Sequence, residues 1–241
     1  MSITAQAVPI LSDNYAWLVR DEATGFTAIV DPAEAAPVMA AIEAAGRLDL
    51  ILLTHHHQDH VAAVDAVRGR FPAAVIGNAA DRRRLPKLDR AVDPGDTFAF
   101  GAGEARVIDT PGHTIGHIAF FLAPGDVLLC GDTLFSLGCG RLLEGTAAQM
   151  FASLHSLAAL PGDTLVCCGH EYTESNARFA LSADPDNLAL QARAREVERL
   201  RSASQPTVPT RLADELAANP FLRAPDVATL ADLRSRKDRF H

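Results

Sequence analysis

One stretch constrains this sequence more than any other. It is Thr54-His55-His56-His57-Gln58-Asp59-His60, which holds four of the nine histidines. The stretch directly follows an apolar run at residues 48–53 with the length and composition of a buried strand. Its position after a strand, in the middle of the chain, indicates a metal-binding loop rather than a solvated histidine-rich loop, a tag or a low-complexity tract.

The spacing within this stretch predicts how its side chains divide. Alternate side chains along an extended segment point the same way, so His55, His57 and Asp59 are expected on one side. His56 is expected to point away from them. His60 is aimed elsewhere if the chain turns into a helix after it. Geometry therefore favours ligands for more than one metal ion.

Three further apolar runs each end in a glycine followed by a residue that can bind a metal. Glycine permits a sharp backbone turn at the end of a strand. The residues presented in this way are His113, Asp132 and His170. Strands that deliver side chains to one edge of a sheet are a common way to build a rigid site.

These segments together supply seven candidate metal ligands. Seven are too many for one tetrahedral zinc, but they suit a pair of metal ions that share a bridging carboxylate. Nitrogen and oxygen donors without thiolate fit zinc, iron or manganese. His117 is expected to support the site, whereas His155 and His241 are expected to be uninvolved. The candidates are His55, His57, Asp59, His60, His113, Asp132 and His170.

Strand and helix patterns divide the chain into two regions. Residues 1–169 mix strand-like runs with helical segments, which predicts an α/β domain whose two β-rich halves could stack as a sandwich. Residues 170–241 are expected to be an all-helical C-terminal domain. No convincing strand is predicted after residue 171. Helical periods in this second region cover residues 173–182, 187–203, 210–218 and 226–238.

Composition and charge narrow the class of protein. The formal net charge of -8 argues against a nucleic-acid partner and against a membrane-surface protein. No signal peptide and no membrane-spanning run are predicted. The same charge favours a monomer or small oligomer, and a monomer is predicted. The four cysteines do not form a disulfide pattern, so we expect reduced thiols and a cytoplasmic location. The basic run Arg82-Arg83-Arg84 is predicted to be a solvated face.

The order of these motifs resembles the metallo-β-lactamase superfamily. The resemblance covers roughly residues 1–170 and implies an αββα sandwich with a binuclear metal site on one edge. Further motifs, which extend the similarity over nearly the whole chain, resemble the hydroxyacylglutathione hydrolase (glyoxalase II) family. They are Gly138-Cys139-Gly140-Arg141, Glu144-Gly145-Thr146, His170-Glu171-Tyr172-Thr173, Asn219-Pro220-Phe221 and Leu233-Arg234-Ser235-Arg236-Lys237-Asp238.

This resemblance implies a role for each candidate residue. One metal ion would be held by His55, His57 and His113, and the other by Asp59, His60 and His170. Asp132 would bridge them, and Asp59 would also orient the attacking hydroxide. Two divalent ions, zinc before iron or manganese, are implied. The glutathione part of the substrate would contact residues at five positions, which are Arg141, Leu143, Tyr172, Arg234 and Lys237.

The implied reaction is hydrolysis of S-(2-hydroxyacyl)glutathione, such as S-D-lactoylglutathione, to glutathione and a 2-hydroxy acid such as D-lactate. A hydroxide that bridges the two metal ions would attack the thioester in this second step of methylglyoxal detoxification. Two positions depart from the family pattern, because Leu143 and Gln58 replace residues that are commonly aromatic. Altered substrate affinity is the expected effect.

Other functions on the same scaffold remain open at this point. They include a lactonase, a β-lactamase, an iron persulfide dioxygenase and a nuclease. A non-enzymatic protein that binds glutathione thioesters is a further alternative. The basic C-terminal helix and the complete second set of metal ligands favour the glutathione thioesterase, and the net charge of -8 disfavours a nuclease.

Overall fold

The computed structural model describes residues 2–240, whose strands form two large sheets and one hairpin. The first sheet contains β1 (Ile3–Ile10), β2 (Asn14–Asp21), β3 (Thr27–Val30), β4 (Leu50–Leu52), β5 (Ala74–Asn78) and β6 (Arg90–Val92). These six strands lie in chain order across the sheet. The first three are antiparallel, and β3 to β6 run parallel to one another.

The second sheet is built from later parts of the chain. The remaining strands are β7 (Thr97–Phe100), β8 (Gly103–Asp109), β9 (Ile118–Leu122), β10 (Val127–Gly131), β11 (Leu134–Phe135), β12 (Gly138–Cys139), β13 (Leu165–Cys168) and β14 (Thr210–Arg211). Strands β11 and β12 form the hairpin, and the other six form the sheet in the order β14-β13-β10-β9-β8-β7. Its pairings make β8, β10 and β13 run in the same direction.

Helices cover the outer faces of both sheets. They are α1 (Ala35–Ala45), α2 (Gln58–Val61), α3 (Val64–Arg70), α4 (Ala147–Ala158), α5 (Thr173–Ala183), α6 (Leu188–Ser202), α7 (Leu212–Ala218) and α8 (Val227–Asp238). This arrangement is the αββα sandwich with added C-terminal helices that the sequence predicts. Among residues 2–240, no helix combines the length and apolar composition needed to cross a bilayer.

The alternation of side chains along β4 explains how its sheet packs against the second sheet on one face and against helices on the other. In β4, Leu50 and Leu52 belong to the large core cluster that also contains residues of the second sheet. Their neighbours Ile51 and Leu53 join a separate cluster, which includes Val38 and Ile42 of α1 and Val64 and Val67 of α3. Successive side chains of a strand face opposite sides, so one short apolar strand fills two cores.

The predicted elements differ from the observed ones in a few places. In place of one helix after His60 there are two short helices, of which α2 already contains His60. The sequence patterns do not identify β5 and β6 individually. Strand β14, also unpredicted, lies within the otherwise helical C-terminal region. Strands β6 and β14 have only three and two residues and partly exposed patterns, so their hydrophobic periodicity is too short to identify them.

A buried carboxylate joins the C-terminal helices to the hairpin. Glu215 of α7 accepts hydrogen bonds from the Ser136 hydroxyl at 2.8 Å and from the Leu137 backbone N–H at 2.7 Å. Asn219 Nδ2 donates to Glu215 and also to the backbone oxygen of Gly138 at 3.0 Å. Burial raises the pKa of Glu215 above its ordinary value, although these three donors oppose that change.

We expect Glu215→Ala to lower the free energy of unfolding by about 3 kcal/mol, because it leaves buried donors at Ser136 and Leu137 without an acceptor. Denaturant unfolding measures the change. The matched control is Glu198→Ala on the exposed face of α6, which should lie within about 0.5 kcal/mol of the unmodified protein. Equal unfolding midpoints for the two variants would contradict this role for Glu215.

Candidate metal centre and adjoining pocket

The candidate metal ligands converge because they follow strand ends at one edge of the sandwich. The histidine-rich loop follows β4 of the first sheet. His113, Asp132 and His170 follow β8, β10 and β13, which run in the same direction in the second sheet. The strand-end interpretation of the sequence therefore places all seven candidates correctly in one region of the molecule.

Three histidine nitrogens form the first cluster. His57 Nδ1 lies 3.1 Å from His55 Nε2 and 3.0 Å from His113 Nε2. Ligand atoms about 2.0–2.1 Å from a tetrahedral zinc are about 3.3 Å apart, so this cluster is close to the required size. Burial, with neighbouring histidines, lowers the pKa of His55 well below its usual range, which favours the neutral imidazole that a metal requires.

A second cluster contains Asp59, His60 and His170. Asp59 Oδ2 lies 3.8 Å from His60 Nε2 and 3.5 Å from His170 Nε2. These distances are slightly longer than those in the first cluster. They leave room for one cation in contact with all three side chains.

Asp132 lies between the two clusters. Its carboxylate oxygens are 3.4 Å from His113 Nε2, 3.4 Å from His60 Nε2 and 3.3 Å from His170 Nε2. One carboxylate is therefore in reach of both clusters. Burial alone would raise the pKa of Asp132, but His60 and His170 hold it well below its usual range.

Two buried polar atoms without hydrogen-bond partners bear on whether metal ions fit these clusters. His60 Nε2 and Asp132 Oδ1 are completely buried and have no hydrogen-bond partner among the described residues. Buried polar atoms are nearly always satisfied, so two facing atoms without partners indicate that something else satisfies them. A cation between them would satisfy both, and the nitrogen and oxygen donor set suits a transition metal. The residues present therefore fit a pair of metal ions.

Outer hydrogen bonds fix the orientation of the histidine rings. His60 Nδ1 lies 3.0 Å from Asp31 Oδ2, and His170 Nδ1 lies 3.0 Å from Asp13 Oδ1. His113 Nδ1 donates to the backbone oxygen of Arg141 at 2.9 Å. In each ring Nε2 is then the atom that faces the cluster. Partners of this kind hold ligand histidines in place in many metalloproteins.

Sequence reasoning missed two of these carboxylates. Asp31 directly follows β3, which pairs with β4, so the strand-end argument applied to the other segments could have identified it. Asp13 lies in the turn between β1 and β2, which the sequence patterns do not connect with the metal ligands. Its neighbour Asn14 donates from Nδ2 to Asp59 Oδ2 at 3.1 Å. No local signal in the sequence distinguishes Asp13 and Asn14 from other turn residues.

Three of the four remaining histidines lie where the sequence predicts. His56 Nδ1 points away from the clusters to Asp81 Oδ2 at 3.0 Å. His117 supports the centre, because its Nε2 accepts a hydrogen bond from the Asp132 backbone N–H at 3.1 Å. His155 lies on α4 and contacts the backbone oxygen of Phe151. His241 lies outside the described residues.

Two of the predicted glycines are needed for different reasons. Gly131 has φ +47°, a left-handed conformation that turns the chain directly before Asp132. At Gly169, before His170, space is the constraint. A Cβ there would lie 2.5 Å from Asp132 Oδ1 and 2.7 Å from His60 Cε1. A side chain at position 169 would therefore displace Asp132 and His60.

A cavity of about 380 Å³ adjoins the metal centre. Its walls come from both regions of the chain. The residues that define it are His113, Asp132, Arg141, Tyr172, Arg234 and Lys237. Four of the five predicted substrate-binding residues therefore line one cavity. The fifth, Leu143, is 61% exposed and lies outside its lining.

The basic residues of α8 are not equivalent in this cavity. Arg234 is buried, and its guanidinium donates to the backbone oxygen of Cys139 at 2.7 Å and pairs with Asp238 at 2.8 Å. Lys237 Nζ donates to the Ser175 backbone oxygen at 3.0 Å and its hydroxyl at 2.8 Å, which leaves one of three donors available. Burial, with the nearby arginines Arg234, Arg178 and Arg141, lowers the pKa of Lys237 to about 8.

Tyr172 joins the cavity to the metal centre. Its ring stacks on His170 with a centroid distance of 4.5 Å and an interplanar angle of 8°. Tyr172 is 38% exposed, so its outer part is accessible from the cavity. Burial raises its pKa above the ordinary value, and the phenol therefore stays protonated at neutral pH.

Comparison with known proteins covers nearly the whole chain. A family model described as the metallo-beta-lactamase superfamily matches residues 11–170, and one described as hydroxyacylglutathione hydrolase C-terminus matches residues 171–240. A hydroxyacylglutathione hydrolase from Acidiphilium cryptum is 59% identical, with 98% of this chain and 97% of the relative aligned. One from Ruegeria pomeroyi is 51% identical over 100% of both chains.

Solved structures have the same architecture. ETHE1 from Myxococcus xanthus superposes with a TM-score of 0.73 at 26% identity, covering 98% of this chain and 90% of that one. TTHA1623, in a di-iron-bound form, superposes with a TM-score of 0.60 at 28% identity, covering 69% of this chain and 91% of that one. With its two linked clusters, its cationic cavity and these full-length relatives, the chain belongs to the hydroxyacylglutathione hydrolase family of the metallo-beta-lactamase superfamily.

Proposed function

We propose that this protein hydrolyses S-(2-hydroxyacyl)glutathione thioesters, with S-D-lactoylglutathione as the expected substrate and glutathione and D-lactate as products. The observation that carries the proposal is the position of Asp132 between two metal-binding clusters, beside a cavity with cationic walls. Relatives at 51–59% identity bear the name hydroxyacylglutathione hydrolase. This reaction is the second step of methylglyoxal detoxification.

The proposed metal sites follow the two clusters. His55, His57 and His113 would hold one ion, and Asp59, His60 and His170 the other, with Asp132 within reach of both clusters. Two divalent metal ions would supply a water of lowered pKa, about 7, and would polarise the substrate carbonyl. Zinc is the proposed metal, although the nitrogen and oxygen donors suit iron and manganese as well. A related structure in a di-iron-bound form makes iron the main alternative.

The protein's own residues orient the reactants. Asp59 is held by Asn14 through one carboxylate oxygen, which leaves the carboxylate placed to orient the attacking water. Tyr172 and the backbone and side chain of Arg141 bound the cavity close to the metal centre. Lys237 supplies the accessible charge for a glutathione carboxylate. Arg234 acts mainly by holding Cys139 and Asp238, because its guanidinium is committed to them.

Two further properties belong to this proposal. We place the protein in the cytoplasm, which is supported by four buried free cysteines at Cys130, Cys139, Cys167 and Cys168. A monomer is proposed because the cavity and both clusters are built from residues of one chain. Leu143, exposed near this region, is proposed to contact the outer part of the substrate.

A direct test combines metal analysis with a comparison of substrates. The purified protein should contain two metal ions per chain and should hydrolyse S-D-lactoylglutathione in preference to a lactone or a β-lactam. Binding of the thioester without turnover would support the non-enzymatic alternative. Preferential turnover of the lactone or the β-lactam would reject the proposed substrate class.

We expect Asp132→Asn to lower kcat/KM for S-D-lactoylglutathione by about 100-fold or more and to reduce the bound metal, because the substitution weakens the shared contact to both ions. Steady-state kinetics and metal analysis measure these effects. The control is His155→Ala on α4, which should change neither quantity. Near-normal activity in an Asp132→Asn protein that has lost its metal would disprove this role.

Asp31 provides a second test of the metal centre. Asp31→Asn is expected to weaken metal binding by about 10–100-fold, because His60 loses its charged partner. Competition against a chelator measures the affinity. Asp65→Asn, at an exposed position on α3, is the matched control. If both variants retain metal equally well, Asp31 does not hold His60 for a metal ion.

The pH dependence of KM should reflect the protonation state of Lys237. Only the protonated amine attracts a carboxylate, and the pKa of Lys237 is lowered to about 8, so KM should rise as the pH increases through that value. In Lys237→Ala the KM should be raised below pH about 8 and should approach that of the unmodified protein at higher pH, with a smaller change in kcat, since the contact is remote from the bond that is cleaved. Lys237→Arg should keep a low, pH-independent KM. A loss confined to kcat would place Lys237 elsewhere in the mechanism.

A further inference from the structure

A cluster of charged side chains lies beside the first metal cluster and has no part in the proposed chemistry. Arg84 was predicted to belong to a solvated basic face, and Arg82 and Arg83 are indeed exposed. Arg84 is also exposed, but its guanidinium is paired with two carboxylates. Its Nε lies 2.5 Å from Asp81 Oδ1, and its two terminal nitrogens contact the Glu144 carboxylate, Nη2 at 3.2 Å.

The Glu144 carboxylate also holds the loop that presents His113. Its Oε2 accepts a hydrogen bond from the Ile115 backbone N–H at 2.9 Å. The Glu144 backbone N–H donates to the His113 backbone oxygen at 3.3 Å, and the next residue, Gly145, donates to Gly112 at 3.0 Å. Residues 144–145 are thus fastened along residues 112–115.

The other end of the same segment contacts His113 directly. The backbone oxygen of Arg141 accepts the hydrogen bond from His113 Nδ1 at 2.9 Å. The segment from Arg141 to Glu144 therefore meets the His113 loop at both of its ends. Two of the proposed substrate-binding residues lie in this segment: Arg141 is at one attachment, and Leu143 lies between the two. Movement of this segment would shift the substrate contacts relative to the metal centre.

The base of this arrangement, Asp81, is buried. The Asp81 side chain is only 4% exposed, while those of Glu144 and Arg84 are 25% and 42% exposed. A second connection runs nearby, because Asn78 Nδ2 donates to the Gly116 backbone oxygen at 2.9 Å. Paired contacts between a guanidinium and a partly buried carboxylate have defined geometry, unlike single exposed ion pairs.

We propose that Arg84 and Glu144 form a latch that positions residues 141–143, and with them the glutathione part of the substrate, against the His113 loop. Both are positioning residues, since neither is placed to touch the reacting atoms. The latch deepens the proposed function and rests on it for the identity of the substrate. Its effect on residues 112–117 and 140–146 does not depend on the identity of the substrate.

The test uses variants that remove the ion pair between Arg84 and Glu144; Arg84→Met also removes the contact to Asp81, so Glu144→Gln is the more selective of the two. Arg84→Met removes the charge, while Glu144→Gln keeps an acceptor for the Ile115 N–H. Each should raise KM for S-D-lactoylglutathione by about tenfold with little change in kcat, because the contact acts on binding geometry. The double variant should be no worse than either single one. Arg84→Lys should recover part of the lost affinity, and Arg83→Met is the control.

Hydrogen–deuterium exchange of the metal-loaded protein supplies the second measurement. Residues 112–117 and 140–146 should exchange faster in Arg84→Met than in Arg83→Met, with no change elsewhere. An unchanged KM, or faster exchange throughout the chain, would overturn the latch. If the unmodified protein hydrolyses no glutathione thioester, the proposed function fails, whereas the exchange rates still decide whether the latch holds these loops.

Discussion

The buried carboxylate of Asp132 is the constraint on which the rest of the structure depends. A negative charge in the interior is costly unless positive or hydrogen-bonding groups surround it. Here the surrounding groups come from both sheets, because His60 follows β4 while His113 and His170 follow β8 and β13. Neither sheet contains the site alone. The packing of the two sheets therefore fixes the relative position of the two clusters.

The glycine and carboxylate residues around Asp132 also hold the candidate metal ligands in position. Gly169 leaves the space that Asp132 and His60 occupy, and Gly131 turns the chain into position. Asp31 and Asp13 then fix the rings of His60 and His170. Preorganisation of this kind means that metal ions meet side chains already held at nearly the right separation.

Much of this site could be predicted from sequence because its residues follow strong strand signals. The periodicity around His113, Asp132 and His170 predicts strand ends, and strand ends in the same direction meet at one edge. Asp13 could not be predicted, because its position depends on an isolated bridge between Asn14 and His170, which are distant in sequence. The order of the layers follows from the family resemblance, which the metal-ligand and C-terminal motifs carry. The apolar runs by themselves predict only an α/β domain whose two β-rich halves could stack.

The cationic side of the cavity shows the limit of such reasoning. Helical spacing correctly places Arg234 and Lys237 on neighbouring positions of α8, but it does not say which basic group faces inward. In the folded chain Arg234 binds Cys139 and Asp238, whereas Lys237 keeps a free donor. A chain with a formal net charge of -8 can thus present a local positive cavity, because a few packed side chains determine the local potential.

The short strand β14 has a consequence for how the two regions can be separated. Strand β14 belongs to the part of the chain beyond residue 170, but it pairs with β13 of the first region. Leu212 and Ala213 continue the contact through backbone hydrogen bonds to Thr164 and Gly162. A fragment that stopped at residue 170 would present β13 as an open, unprotected edge, able to recruit strands from other molecules. Expressed without its helices, the metal-binding region would be prone to self-association, so the C-terminal segment also acts as an intramolecular shield against aggregation.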